Sequence, residues 1–153
     1  MPLTTLAAGT VLDEALERID FERVHEWLSH TYWSPGVGRE KVERAARNSS
    51  MVVGAYLNDK QGDNGNNLQV GYLRVVSDKT TFAYVCDVYV DEAYRGQGIA
   101  RAMLRYALHH SEYQGLRRWI LATRDAHDVY RGLGFETVST PERWMTFMPE
   151  QKG

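Results

Sequence analysis

Apolar positions recur along this chain with two periods, and each change of period marks an element. Phe21, Val24 and Leu28 repeat at helical spacing behind Asp20, a good acceptor for the first free amides, and Trp27 widens the stripe. Thr31–Gly38 breaks that helix with a proline and two glycines. A second helix is expected from Arg39 to about Ser49, with Val42, Ala45 and Ala46 inward. The period then shortens. Met51–Leu57, Gln69–Ser77 and Thr81–Asp91 read as strands, joined by a polar hairpin loop at Asn58–Asn67 and a short turn at Asp78-Lys79. Helical spacing returns from Gly98 to about Tyr113, with Ala100, Met103, Leu104, Ala107 and Leu108 on one face. Arg101, Arg105 and His109 line the other face, and Gly115 ends the helix. Leu116–Thr123 reads as a buried strand, Asp125 caps a short helix through Arg131, and Gly134-Phe135 opens a last hairpin closed by Arg143–Phe147. Thr10–Leu12 is a short first strand, and Met1–Gly9 carries too little pattern for anything but a frayed end. This order indicates an α/β sheet with helices on both faces.

Composition narrows the possible partners. A chain of 153 residues fits a single domain, 1–153, able to bury about two-thirds of its unfolded surface. A net charge of -2 gives no footprint for nucleic acid or an anionic membrane. No apolar run reaches the length of a membrane span, and no basic-then-apolar leader opens the chain. The one cysteine, Cys86, has no internal disulfide partner and no evident base. A cytoplasmic protein is the expectation. The adjacent His109-His110 pair points its rings apart on a helix, so no metal site is expected.

The chemistry concentrates in Val88-Tyr89-Val90-Asp91-Glu92-Ala93-Tyr94-Arg95-Gly96-Gln97-Gly98-Ile99-Ala100. A β-branched strand runs into a loop with two glycines and then a helix start. Such a loop leaves backbone N–H groups unpaired at the positive end of the helix dipole, a site for phosphate. Arg95 and Arg101 bracket it with positive charge. No Walker loop is present, and a dinucleotide fingerprint would need glycine where Arg101 stands.

The remaining pattern, Arg-x-x-Gly-x-Ala after Val-x-Val, resembles the pyrophosphate loop of the GNAT superfamily of acyl-CoA-dependent N-acyltransferases. Tyr130-Arg131-Gly132-Leu133-Gly134-Phe135 resembles that family's C-terminal Tyr-x-x-x-Gly-Phe. The resemblance covers nearly the whole chain in element order. It implies a mixed, largely antiparallel sheet of six to seven strands with a splayed central pair. It further implies acetyl-CoA as co-substrate, a primary amine of a small molecule or peptide as acceptor, and a homodimer.

The same resemblance assigns roles. Backbone groups of Val88 and Val90 would pair with the pantetheine arm as an added strand, and the Val88 N–H would polarise the thioester carbonyl. Amides across Arg95, Gly96, Gln97, Gly98, Ile99, Ala100 and Arg101 would hold the pyrophosphate. Tyr130 matches the general acid that protonates the leaving thiolate; with a thiol near pKa 8.5 and a phenol near 10, that transfer is modestly uphill. Thr123 stands where the family usually has an asparagine that hydrogen-bonds the pantetheine arm, seven residues before the tyrosine, so the resemblance implies a cofactor contact from its hydroxyl. Tyr32 and Trp33, between the first two helices, either contact the acceptor or staple the helices together. Trp144 either lines that pocket or closes the core.

The proton acceptor is the open role. An alkylamine of pKa near 10.4 must lose a proton before it attacks. Asp87 is the first choice, and Tyr84 acting through water is the second. His127 has a suitable ordinary pKa but sits where a short helix meets solvent. A carboxylate within an apolar strand either finds a partner or faces a wet cleft. Strand alternation sets Asp87 and Val88 on opposite faces unless a bulge intervenes, and a structural role for Asp87 stands beside the catalytic one. The rival reading of the whole chain is a non-catalytic acyl-CoA-binding regulatory domain.

Overall fold

In the computed structural model, which describes residues 9–149, Asp20 opens the first helix as its sequence predicts. Its carboxylate accepts the Arg23 N–H at 3.2 Å at the head of helix α1, Phe21–Leu28. The Asp20 N–H is in turn donated to the side chain of Gln69 at 2.8 Å. Gln69 is fully buried, and it repays its burial by donating to the Gly71 carbonyl as well. One glutamine thus ties the helix cap to the sheet. Helix α2, Arg39–Asn48, buries Val42 and Ala46, whereas Ala45 is only half-buried.

The chain divides into two units, Met1–Ala122 and Thr123–Gly153. The first holds a five-stranded sheet in the order β1-β2-β3-β4-β5, rather than the six or seven strands expected. Strands β1 (Thr10–Asp13), β2 (Met51–Gln61), β3 (Asn67–Ser77) and β4 (Phe82–Val90) pair antiparallel in sequence order, and β5 (Arg118–Ile120) adds parallel to β4. The polar hairpin is tighter than Asn58–Asn67 suggests, because β2 runs on to Gln61. Its last four residues are wet on both faces, so alternation of burial disappears while backbone pairing continues. Residues 1–8, assigned to a frayed end, lie outside the described residues.

Helices cover both faces of this sheet. On one, Ile19, Val24, Trp27, Leu28, Val42 and Ala46 pack with Val52 and Tyr72, and the Trp27 ring stacks on Tyr89 at 5.2 Å. On the other lies α3, Ile99–Leu108, which buries Ile99, Ala102, Met103, Leu104 and Ala107; Ala100 and Leu108 flank that stripe instead of belonging to it. Met103 lies so close to Gly71 that a Cβ there would be 3.0 Å from its Sδ and Cε. The helix stops at Leu108, short of Tyr113. The His110 ring accepts the Glu112 N–H at 3.2 Å and starts a separate 3-10 turn, Ser111–Tyr113, so a local side-chain bond displaces the helical one. Strand β5 is three residues long and half-buried, not a buried run from Leu116 to Thr123.

The second unit contains α4, His127–Arg131. Asp125 does not cap it: Ala126 stands at the N-cap with no side-chain cap bond, and the Thr123 hydroxyl accepts the Ala126 N–H at 3.0 Å. Gly134 takes a positive φ of 100°, but no hairpin follows. Pro141–Arg143 forms a 3-10 turn, and the residues expected as a closing strand, Arg143–Phe147, form no strand. Period-two apolarity specifies a strand only where a face is buried, and Met145 and Phe147 are 94% and 86% exposed.

Candidate active site

Strand β4 contains one residue more than its partner. Tyr72 pairs with Tyr89 and Arg74 with Cys86, so Leu73 alone faces both Asp87 and Val88. Asp87 carries the extra length in a left-handed conformation, φ 55°. The bulge that the Asp87 hypothesis required is therefore present, and it turns the carboxylate toward the α1/α2 side. There Oδ2 accepts Arg74 Nε–H at 2.7 Å and Oδ1 accepts the Trp33 indole N–H at 2.8 Å. The carboxylate in an apolar strand has found a partner; it does not stand open in a cleft.

Arg74 is the residue that sequence reasoning missed, although a matching signal exists. It is the one charge within Leu73-Arg74-Val75-Val76, as Asp87 is within its own strand. Burial pulls the Arg74 guanidinium down, but its bond to Asp87 and that carboxylate's charge raise it overall. Its Nη1 also donates to Ser49 Oγ at 3.4 Å, at the end of α2. Burial pushes the Cys86 thiol up, consistent with an inert side chain, and does the same to the Tyr84 phenol. Tyr84 is 41% exposed, and Tyr32 and Trp33 are 43% exposed each, so the aromatic pair is not a buried staple. Their rings meet edge to face at 5.0 Å.

Downstream, Asp91 caps a 3-10 turn, Glu92–Tyr94, by accepting the Ala93 N–H at 2.9 Å, and it forms an ion pair with Arg23. Arg23 also donates to the Gln69 carbonyl at 2.6 Å, so α1 anchors the start of the glycine loop. Arg95 turns back onto the strand. Its Nε donates to the Val90 carbonyl at 2.9 Å and its guanidinium lies 5.1 Å from the Tyr89 ring centre. Gly96 and Gly98 then adopt φ of 82° and 81°, with nothing within 4 Å of where a Cβ would stand. The first helical bond runs from Ala102 N–H to the Gly98 carbonyl, at 3.0 Å. The amides of Ile99, Ala100 and Arg101 precede that pattern at the helix head, and Arg101 is exposed.

The edge of β4 is open beside this loop. Its pairing with β5 covers only Phe82–Tyr84, and residues 85–90 have no strand on that side among the described residues. Val88 and Val90, the expected pantetheine contacts, belong to this open stretch. In the second unit Tyr130 lies in α4, half-buried, with its ring edge to face against Phe135 at 5.9 Å. Arg131 bonds Asp128 on its own helix at 3.3 Å, and His127 is exposed. His110 pairs with Glu14 at 2.9 Å, and no cluster of metal-ligating side chains occurs among the described residues.

The histone acetyltransferase TAP1 of Glycine max is 30% identical over 100 residues, which is 63% of this chain and 43% of that protein. The chain thus spans less than half the length of that relative. A structure from Xanthomonas campestris pv. campestris belonging to the GNAT family is 32% identical, superposes with a TM-score of 0.81, and is covered over 92% of its length by 91% of this chain. A Clostridium acetobutylicum structure containing acetyl-CoA shares the fold at a TM-score of 0.64 and 16% identity, over 91% of this chain and 96% of that one. Residues 12–135 match the acetyltransferase (GNAT) family, and the chain belongs to that family.

Proposed function

We propose that this acetyltransferase moves an acetyl group from acetyl-CoA to a primary amine of a small molecule or peptide, by direct attack of the amine on the thioester. The observation that carries this reading is the junction of β4 and α3. A strand edge with no neighbouring strand among the described residues leads through two left-handed glycines to the head of a helix. The edge suits the amide-bearing pantetheine arm and the helix head suits the pyrophosphate. A histone acetyltransferase among the relatives supports a peptide amine as acceptor.

Val88 and Val90 supply the strand edge in this scheme, and the Val88 N–H polarises the thioester carbonyl. The amides from Gly96 to Arg101 hold the pyrophosphate, with Arg95 holding the loop to the strand. The acceptor nitrogen releases its proton to bulk solvent through water held at the Tyr84 hydroxyl, which relays the proton without keeping it and whose own phenol burial makes still harder to ionise. As the C–N bond forms and the C–S bond breaks, Tyr130 gives its phenolic proton to the departing sulfur and regains one from solvent. Thr123, whose hydroxyl accepts the Ala126 N–H just before α4, meets the pantetheine arm with a hydroxyl in place of an amide.

Calorimetric titration with acetyl-CoA and CoA, beside a thiol-release assay over an amine panel, tests this reading. Tyr130→Phe is expected to bind acetyl-CoA as the parent does while turnover falls about a hundred- to ten-thousand-fold, the usual contribution of a positioned acid. Binding without turnover on any amine would instead favour a regulatory acyl-CoA-binding domain. Absence of binding by either ligand would overturn the loop assignment.

A further inference from the structure

We propose that Asp87 is a positioning residue rather than the proton acceptor, and that it latches Trp33 of the α1–α2 linker to the bulge of β4 as a wall of the acceptor site. The inference deepens the acetyltransferase reading and rests on it. Both carboxylate oxygens are already engaged, one by Arg74 and one by the Trp33 indole. Accepting a proton would weaken both bonds at once, so this carboxylate is poorly placed to act as a base in every turnover.

The linker has its own internal bonds near α1. Gly36 N–H donates to the Ser29 carbonyl at 2.9 Å, Ser34 Oγ donates to the Leu28 carbonyl at 2.9 Å, and the His25 ring meets the Val37 carbonyl at 3.0 Å. These shape the loop without fixing it to the sheet. The Trp33 bond does that, joining residues 54 apart in sequence. Arg74 extends the tie to Ser49 at the end of α2, so one ion pair reaches the linker, the bulge and the second helix. Aspartate is suited to this place. It tolerates the left-handed conformation, it is short, and it offers two separate acceptor oxygens. Trp33 is 43% exposed as a residue, so the latched group is open to a ligand.

The test compares Trp33→Phe, which keeps a ring and deletes the indole donor, with Asp87→Asn. Trp33 is exposed, so its variant folds even if the bulge variant does not. Both are expected to raise KM for the amine about tenfold or more, with kcat within about threefold, an unmoved pH profile and unchanged acetyl-CoA affinity, the pattern of lost ground-state binding. Asp87→Asn instead lowering kcat about a hundredfold or more and removing the acidic limb of its pH profile, with Trp33→Phe silent, would identify Asp87 as the base and overturn the latch. Should no amine turn over, the acetyltransferase reading fails separately, and the indole N–H signals of the four tryptophans still decide the latch. The signal lost in Trp33→Phe is expected to be protected from solvent exchange in the parent and to lose protection in Asp87→Asn. Exchange in the parent as fast as for a free indole would overturn it.

Discussion

Tyr56, Tyr72 and Tyr113 are all fully buried, yet their hydroxyls fare differently. Tyr113 shares a bond of 2.7 Å with Ser50 Oγ, whereas the Tyr56 and Tyr72 hydroxyls have no partner among the described residues. A buried hydroxyl without a partner costs stability, and removing it returns that cost. Tyr72→Phe is therefore expected to stabilise the protein by about 1 kcal/mol, a rise of roughly 2–4 °C in Tm. Tyr113→Phe should lose about 1 kcal/mol. A pair of thermal melts checks both signs. Nothing local distinguishes these tyrosines in sequence, since the burial of an aromatic follows from pattern but the partner of its hydroxyl does not. Arg74, Asp87 and Trp33 are hidden for the same reason. Each is a single residue whose meaning depends on one far along the chain. The glycine loop is legible because its ligand-facing groups belong to consecutive backbone amides.

At the scale of elements, helix α3 depends on two glycines for different reasons. Gly98 has open space but a left-handed backbone, while Gly71 lies against Met103 and Ala55. Gly98→Ala is expected to cost about 1–2 kcal/mol of backbone strain. It should also weaken acetyl-CoA binding, because relief of that strain re-aims the amides at the helix head. Gly71→Ala should cost about 1–3 kcal/mol through overpacking, as α3 shifts off the sheet. Urea denaturation of each variant, with calorimetry on Gly98→Ala, separates strain from packing. The helices α1 and α2 and the strands β2, β3 and β4 follow from periodicity, since each buries residues within its own unit. Residues after Thr123 obey that logic less well. The apolar alternation of Arg143–Phe147 has no buried face in its own unit, and the predicted strand does not form.

Across the whole molecule, titratable groups set the pH range of stability from both ends. The bond to Arg18 lowers the Asp13 carboxyl, and bonds from the Thr81 side chain and the backbone around it hold Asp78 well below the ordinary carboxylate range. Groups lowered on folding contribute stability that is present above their ordinary pKa of 3.8 and is lost as pH falls below it. Burial raises the Tyr56, Tyr72 and Tyr113 phenols from their ordinary 10.0, so their contribution is complete below that value and is lost as pH rises past it. A plot of urea midpoint against pH should therefore be flat through neutrality, falling below about pH 4 and above about pH 10. Both arms are expected to involve the first unit, which holds all five groups.

The extra residue in β4 makes that strand count in two parities. Before Asp87 the even positions, Tyr84 and Cys86, lie on the side of Arg74; after it an odd position, Tyr89, takes up that side and meets Trp27, while Val90 pairs with Gly71 over α3. Deleting Asp87 would leave a regular strand, with Cys86 and Tyr89 still on the Arg74 side and Val90 still over α3, but without the carboxylate; deleting a residue on either flank while the bulge is kept would swap the two sides beyond it. Single-residue deletions on the flanks of the bulge are thus far graver than substitutions there. A segment exchanged between relatives must carry the same parity at both of its ends to remain in phase with the two layers of helices.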